Sequence, residues 1–226
     1  MNHPTRETIN TDWSAQRVGD IVTRLPQAAT LFRAAGVDYC CGGHRPLGEA
    51  LAAEGRDPRE LDSALDAVRD RAASEREYPA AFEDMEVSDL TAHIETRHHR
   101  YLRDALPRTA ELARRVLTAH GQRHPELFRI HALYGRLQLD LEQHLIKEEV
   151  SLFPQLAAAP SERSADTVQL AAEIREEHEA AGRTLHELRA LTGGYTMPDD
   201  GCASYGAFME ALSALEADLF QHIHLE

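Results

Sequence analysis

Two pairs of the form His-x-x-x-Glu, His144/Glu148 and His222/Glu226, are the residues of this chain best suited to chemistry. A four-residue separation brings an imidazole and a carboxylate within about 40° of each other on one helix face, so both can reach the same ion. His99 and His178 lie on two further helical stretches and add two imidazoles. Four imidazoles and two carboxylates suffice for two non-haem irons, with each glutamate bridging, room for an oxo or hydroxo bridge, and an open position for a small ligand. Nitrogen and oxygen donors without thiolate suit iron or manganese rather than structural zinc. The chain has 13 histidines, 11 of them after residue 88, against an aromatic content of only 6%. A lone core histidine usually finds a hydrogen-bond partner, and one His-x-x-x-Glu pair is weak evidence of metal. Six such groups on inward stripes, left unpaired, would together cost more than the roughly 5–15 kcal/mol stability of a domain. A metal resolves that conflict.

Four long segments of helical composition must position these groups, separated by breaks at 121–125, 160–164 and 193–201. Three carry an apolar stripe at 3-4 spacing that runs into the ligands: Tyr134, Leu137, Leu141 before His144 and Glu148; Ala171 and Ile174 before His178, then Ala181 and Leu185; Phe208, Leu212, Leu215, Leu219 before His222 and Glu226. The first segment holds two competing stripes, one of His99, Leu102, Leu106 and Ala113, the other of Ile94, His98 and Tyr101. The leucines below His99 favour it, leaving His98 turned away from the cluster. Depth agrees, because His99 lies 22 residues before Gly121 and His144 19 after Pro125, while Glu148 and His178 lie 12 and 14 residues from the ends of the next break. The expected fold is all-α, an up-down-up-down four-helix bundle over 88–226. His93, His186 and His224 fall beside the stripes, and His120 and His124 sit at a loop. Carboxylate-rich di-iron bundles use two Glu-x-x-His pairs, and here Glu95/His98 has no counterpart.

Ahead of the bundle, residues 13–73 predict a small helical module and 74–87 a linker. Helices are expected over 18–25 and 28–35, the second opened near Pro26 and stopped by Gly36, with two more opened by Pro46 and by Asp57-Pro58, the last reaching about Ala73. Between them lies the loop Val37-Asp38-Tyr39-Cys40-Cys41-Gly42-Gly43-His44, whose paired glycines permit a tight turn or close approach to a ligand. Cys40 and Cys41 are adjacent and Cys202 is left over, so no disulfide framework forms and a reducing compartment suits the chain. The net charge of −14, from 38 acidic and 24 basic residues, gives no footprint for nucleic acid or anionic lipid. The first 16 residues lack an apolar signal core and no stretch is long enough to span a bilayer, so a cytoplasmic protein is expected, with no membrane partner.

Both halves resemble the iron-sulfur cluster repair di-iron proteins, the RIC or ScdA/YtfE family. Leu31-Phe32-Arg33 through Asp38-Tyr39-Cys40-Cys41-Gly42-Gly43 is similar to that family's amino-terminal signature. Arg97-His98-His99, then His144-Leu145-Ile146-Lys147-Glu148-Glu149 with Leu152-Phe153-Pro154, then Glu176-Glu177-His178-Glu179-Ala180-Ala181-Gly182, then His222-Ile223-His224-Leu225-Glu226 resemble its haemerythrin-like motifs in order. The resemblance implies histidine ligands at His99, His144, His178 and His222, with Glu148 and Glu226 bridging two irons. It implies a cytoplasmic homodimer that helps restore iron-sulfur clusters damaged by nitric oxide or peroxide in client proteins. A labile di-iron site would donate iron, with Cys40 and Cys41 accepting iron or a nitrosyl group in transit; alternatively these cysteines are a packed turn. The competing functional class is a protein that binds NO or O₂, or reduces NO, at the open position. In the family the last His-x-x-x-Glu continues into an asparagine and a Leu-Phe-Pro run, whereas this sequence ends at Glu226.

Overall fold

The computed structural model describes residues 12–40, 42–74, 85–158 and 165–226. Cys41, residues 75–84 of the expected linker and the expected break at 160–164 lie outside them. Among the described residues the regular elements are helices, and one isolated bridge pairs Arg17 with Pro46. The chain divides into two compact units, Met1–Glu83 and Asp84–Glu226.

In the first unit, α1 (Val18–Arg24), α2 (Ala28–Ala35), α3 (Leu47–Ala53) and α4 (Asp62–Ser74) close around Trp13, Ile21, Phe32, Tyr39, Leu47, Leu51 and Leu65, all buried. Gly36 ends α2 at φ 79°, and the Val37 N–H returns to the Phe32 carbonyl at 2.8 Å, a left-handed stop that glycine adopts without strain. Pro58 does not open α4 directly. The Asp57 carboxylate accepts the Arg59 N–H at 2.8 Å, which fixes a turn and delays the helix to Asp62. The paired glycines serve backbone packing: Gly19 N–H donates to the Gly43 carbonyl at 2.9 Å, and a Cβ on Gly43 would stand 2.5 Å from the Tyr39 carbonyl oxygen. The close approach permitted by this loop is therefore used by the module's own α1.

The second unit is built from four rods. α5 (Val87–Ile94), a π-helical turn (Glu95–His99) and α6 (Arg100–His120) run continuously; so do α7 (Glu126–Lys147), a second π turn (Glu148–Leu152) and α8 (Phe153–Ala157). α9 (Ala165–Leu191) and α10 (Ala203–Leu225) complete the bundle. Each rod packs on its neighbours in the order α6, α7, α9, α10 and back to α6, as up-down-up-down topology requires. Their stripes meet in a core that includes Leu102, Leu106, Tyr134, Leu137, Leu185, Phe208, Leu212 and Leu215, each worth about 1.5–3 kcal/mol of burial.

The π turns explain the two competing stripes of the first segment. A π turn takes in one extra residue and rotates everything beyond it by about one helical position. Ile94 before the turn and Leu102 and Leu106 after it are consequently all buried, at 1%, 0% and 0% exposure, Ile94 in a cluster with Leu152, Phe153 and Ile174. No helix among the described residues is long and apolar enough to cross a membrane.

Candidate metal centre

Both π turns sit where ligand candidates are presented. His99 closes the first and Glu148 opens the second. The wider turn lets a residue leave the regular i to i+4 ladder and point inward beside its neighbours, a device common at functional sites. His144 precedes Glu148 on α7, His178 lies mid-way along α9, and His222 stands in the last turn of α10 with Glu226 just beyond it.

These six side chains converge. The Glu148 carboxylate divides its oxygens: Oε2 lies 3.3 Å from His99 Nε2 and 4.0 Å from His222 Nε2, while Oε1 lies 3.2 Å from His144 Nε2 and 3.7 Å from His178 Nε2. Glu226 does the same from the other side, with Oε1 at 2.7 Å from His222 Nε2 and 3.8 Å from His99 Nε2, and Oε2 at 2.9 Å from His178 Nε2. Two four-donor groups result, His99/Glu148/His222/Glu226 and His144/Glu148/His178/Glu226, sharing both carboxylates. Within each group the two imidazoles turn their Nε2 atoms toward one another at 3.1 Å. Although Glu226 is exposed as a residue, its side chain is only 6% exposed, because the solvent-facing part is its main chain.

The donor chemistry fits a cation. Both Glu148 oxygens are buried without a hydrogen bond, a costly state for an anion in a core unless a positive charge stands between it and the imidazoles. The ion-free electrostatics point the same way. Burial alone would push the His99 imidazole down, yet Glu148, Glu226 and Glu149 outweigh it and hold His99 up at about 10; burial likewise opposes the protonation of His178, which Glu148 and Glu226 raise to about 9. Burial would raise Glu148, but His144, His178 and His99 hold it down at about 2, and Glu226 is held well below the usual carboxylate range by His222, His178 and His99 against its burial. Protons take up the positive charge that two anions demand, and a metal could take their place.

Outer partners fix the rings. His99 Nδ1 meets Glu149 Oε1 at 2.7 Å, and Arg103 holds the other Glu149 oxygen at 2.5 Å. His144 Nδ1 meets Glu177 Oε2 at 2.9 Å, with Lys147 on the other Glu177 oxygen. A proton on each Nδ1 leaves the Nε2 lone pair aimed inward, the usual carboxylate–histidine–metal arrangement. The sequence places Glu149 and Glu177 within motifs but gives neither a part in orienting a histidine; each stands beside a ligand candidate, and adjacency alone does not distinguish it among 38 acidic residues.

His98 is buried although it belongs to neither donor group. It is 2% exposed, with Nδ1 3.0 Å from Asp218 Oδ1 and its ring stacked 5.6 Å behind that of His222. His98 and His99 flank the His222 ring, one stacked against it and the other edge-on to it. Phe153 stacks on His99 at 5.6 Å and closes one side. On the other, a cavity of about 280 Å³ reaches His144 and His178 past Asp140, Gln143, Lys147 and Glu177. Cys40 belongs to the first unit, half-buried, with its thiol 3.1 Å from Asp38 Oδ1.

Comparison with known proteins covers both units. The Hemerythrin HHE cation binding domain matches residues 90–226, and ScdA_N, a Domain of Unknown function (DUF542), matches residues 14–69. The chain is 31% identical over 212 residues to the iron-sulfur cluster repair protein YtfE of Musicola paradisiaca, covering 92% of this chain and 91% of that one. It is 28% identical over 215 residues to YtfE of Pectobacterium atrosepticum (93% and 92%) and 27% identical over 210 residues to the iron-sulfur cluster repair protein ScdA of Staphylococcus epidermidis (92% and 93%).

Proposed function

Since the chain belongs to the YtfE/ScdA family of iron-sulfur cluster repair proteins, we propose that it restores damaged iron-sulfur clusters in client proteins by means of a di-iron centre in its second unit. His99 and His222 would hold one iron and His144 and His178 the other, with Glu148 and Glu226 bridging. The observation that carries this is the division of each carboxylate's two oxygens between two imidazole pairs. When bound, the iron pair supplies labile, redox-active metal with a position open to a small ligand such as NO or O₂.

The residues around the centre set its terms. Glu149 and Glu177 orient His99 and His144, Phe153 excludes water from one side, and the cavity beside His144 gives a route in or out. Asp140, Gln143 and Glu177 line that route and offer oxygen donors to iron leaving as cargo. Cys40 and Cys41 serve as acceptors in transit, with Asp38 positioning the Cys40 thiol. The working form is a cytoplasmic homodimer; exposed Leu139, Ile146 and Val150 on the rod formed by α7 and its π turn favour self-association.

The test is reactivation of a purified [4Fe–4S] hydratase after inactivation with nitric oxide. Iron-loaded full chain restores activity, His144→Ala does not, and Cys40→Ser/Cys41→Ser keeps its iron while restoring less. Failure of the loaded chain to reactivate the hydratase, together with conversion of NO to N₂O, would replace repair by NO reduction.

A further inference from the structure

A second set of donors stands at the far end of the bundle. α6 ends on His120, about 30 Å along the helix from His99 at 1.5 Å per residue. The turn that follows brings His124 beside it, and the loop ahead of α10 supplies Asp200 and Cys202. One nitrogen from each imidazole and one Asp200 oxygen lie within 4.8 Å of one another.

Asp200 and Cys202 are exposed, and the two imidazoles give the cluster its buried side. His120 is 5% exposed; its Nε2 stands 3.2 Å from Cys202 Sγ, and its Nδ1 is buried with no hydrogen-bond partner. His124 has the orientation of a ligand, with Nδ1 3.1 Å from Glu126 Oε1 and Nε2 2.9 Å from Asp200 Oδ1. Glu126 thus plays toward His124 the part that Glu177 plays toward His144. The Tyr205 ring stands edge-on to both imidazoles, at 5.3 Å and 5.8 Å, and backs the cluster.

We propose that His120, His124, Asp200 and Cys202 form a mononuclear site for a zinc-type divalent cation, joining the turn after α6 to the loop before α10. The donor set is two imidazoles, a carboxylate and a thiolate. It differs from the all-N/O set of the other centre in the sulfur, which selects zinc or cobalt over iron held by oxygen and nitrogen alone. Cys202 Sγ reaches only His120 Nε2 in this structure and stands outside the three donors that lie within 4.8 Å of one another, so its thiolate would have to turn in to complete a tetrahedral shell joining the turn to the loop.

Iron-loaded full chain, kept reduced and anaerobic, is titrated with cobalt(II) while its iron content is followed. One cobalt per chain beyond the retained iron is expected, with tetrahedral visible bands and a sulfur-to-cobalt charge-transfer band. Cys202→Ser abolishes the charge-transfer band, and His124→Ala or Asp200→Asn, at positions less buried than His120, weakens cobalt binding by about tenfold or more. Absence of any added cobalt leaves an ion pair between His124 and Asp200 and overturns the site. So does a charge-transfer band that survives Cys202→Ser, which would assign the sulfur to Cys40 or Cys41, or cobalt affinity unchanged in both of the other variants.

Discussion

Two buried carboxylates in the same bundle are treated in opposite ways. Glu216 on α10 is 1% exposed and fully satisfied, with one oxygen 2.6 Å from Arg189 and the other 2.9 Å from the Tyr195 hydroxyl. Glu148 is 0% exposed, and neither of its oxygens has a hydrogen bond; both look onto imidazole nitrogens that in turn face each other. A buried anion whose purpose is structural is surrounded with donors, here including the hydroxyl of Tyr195, which stands in the turn after α9 at φ 64°. A buried anion ringed only by imidazole nitrogens, none of them in hydrogen-bonding geometry, is a place that suits a cation.

Substitution separates the two sites most sharply. Glu148→Ala removes the carboxylate shared by both donor groups and is expected to lose both irons, measured by metal analysis after anaerobic loading; retention of one would make the two groups independent. Next in size is the response to pH. In the iron-free chain, His99 and His178 are held above their ordinary 6.5, so their stabilising contribution is complete below 6.5 and is lost as pH rises through about 9 and then about 10. Glu148, held at about 2, contributes above 4.5 and loses that contribution as pH falls toward 2. Iron must compete with protons for the same nitrogens, so its affinity runs the other way and rises with pH. Denaturant unfolding at pH 6.5 and pH 9 should therefore show the iron-free bundle weakening and the gap to the loaded bundle widening; a gap that narrows breaks the contrast.

Glu216→Ala removes a buried carboxylate that pairs with Arg189 and the Tyr195 hydroxyl and should destabilise the bundle by about 3 kcal/mol, while the folded fraction still binds two irons. Loss of iron from that variant would mean that the two carboxylates are not separate in function. The smallest effect belongs to the outer partners. Glu177→Gln keeps an acceptor for His144 but removes charge, and iron affinity should fall by about tenfold to hundredfold, or 1.4–2.8 kcal/mol, without loss of stoichiometry. Unchanged affinity would return Glu177 to a surface ion pair with Lys147.

The parts of this contrast were unequally legible in the residues. Helices, their breaks and the inward His-x-x-x-Glu pairs are periodic features, and periodicity survives in a sequence. The π turns leave only an indirect trace, two stripes on the first segment that cannot both face inward along a regular helix, and choosing one of them hid the burial of His98. Glu149 and Glu177 acquire their roles through neighbouring helices, so nothing local marks them. Glu216 is similar, since its partners Arg189 and Tyr195 lie 27 and 21 residues away. The glycines after Cys40 could equally have served a ligand or a packed turn, and only the contact with Gly19 decides for packing. His120 and His124 read as loop histidines because Asp200 and Cys202 are distant in sequence.

The central claim, a dinuclear centre on shared carboxylates, is tested most directly by Mössbauer spectroscopy of the full chain loaded with ⁵⁷Fe and then oxidised, with iron quantified on the same sample. The shared carboxylates predict two irons per chain, magnetically coupled to a diamagnetic ground state, absent together in Glu148→Ala and unaffected by His124→Ala. Two uncoupled irons, one of them lost in His124→Ala, would divide the metal between the two ends of the bundle and contradict the account.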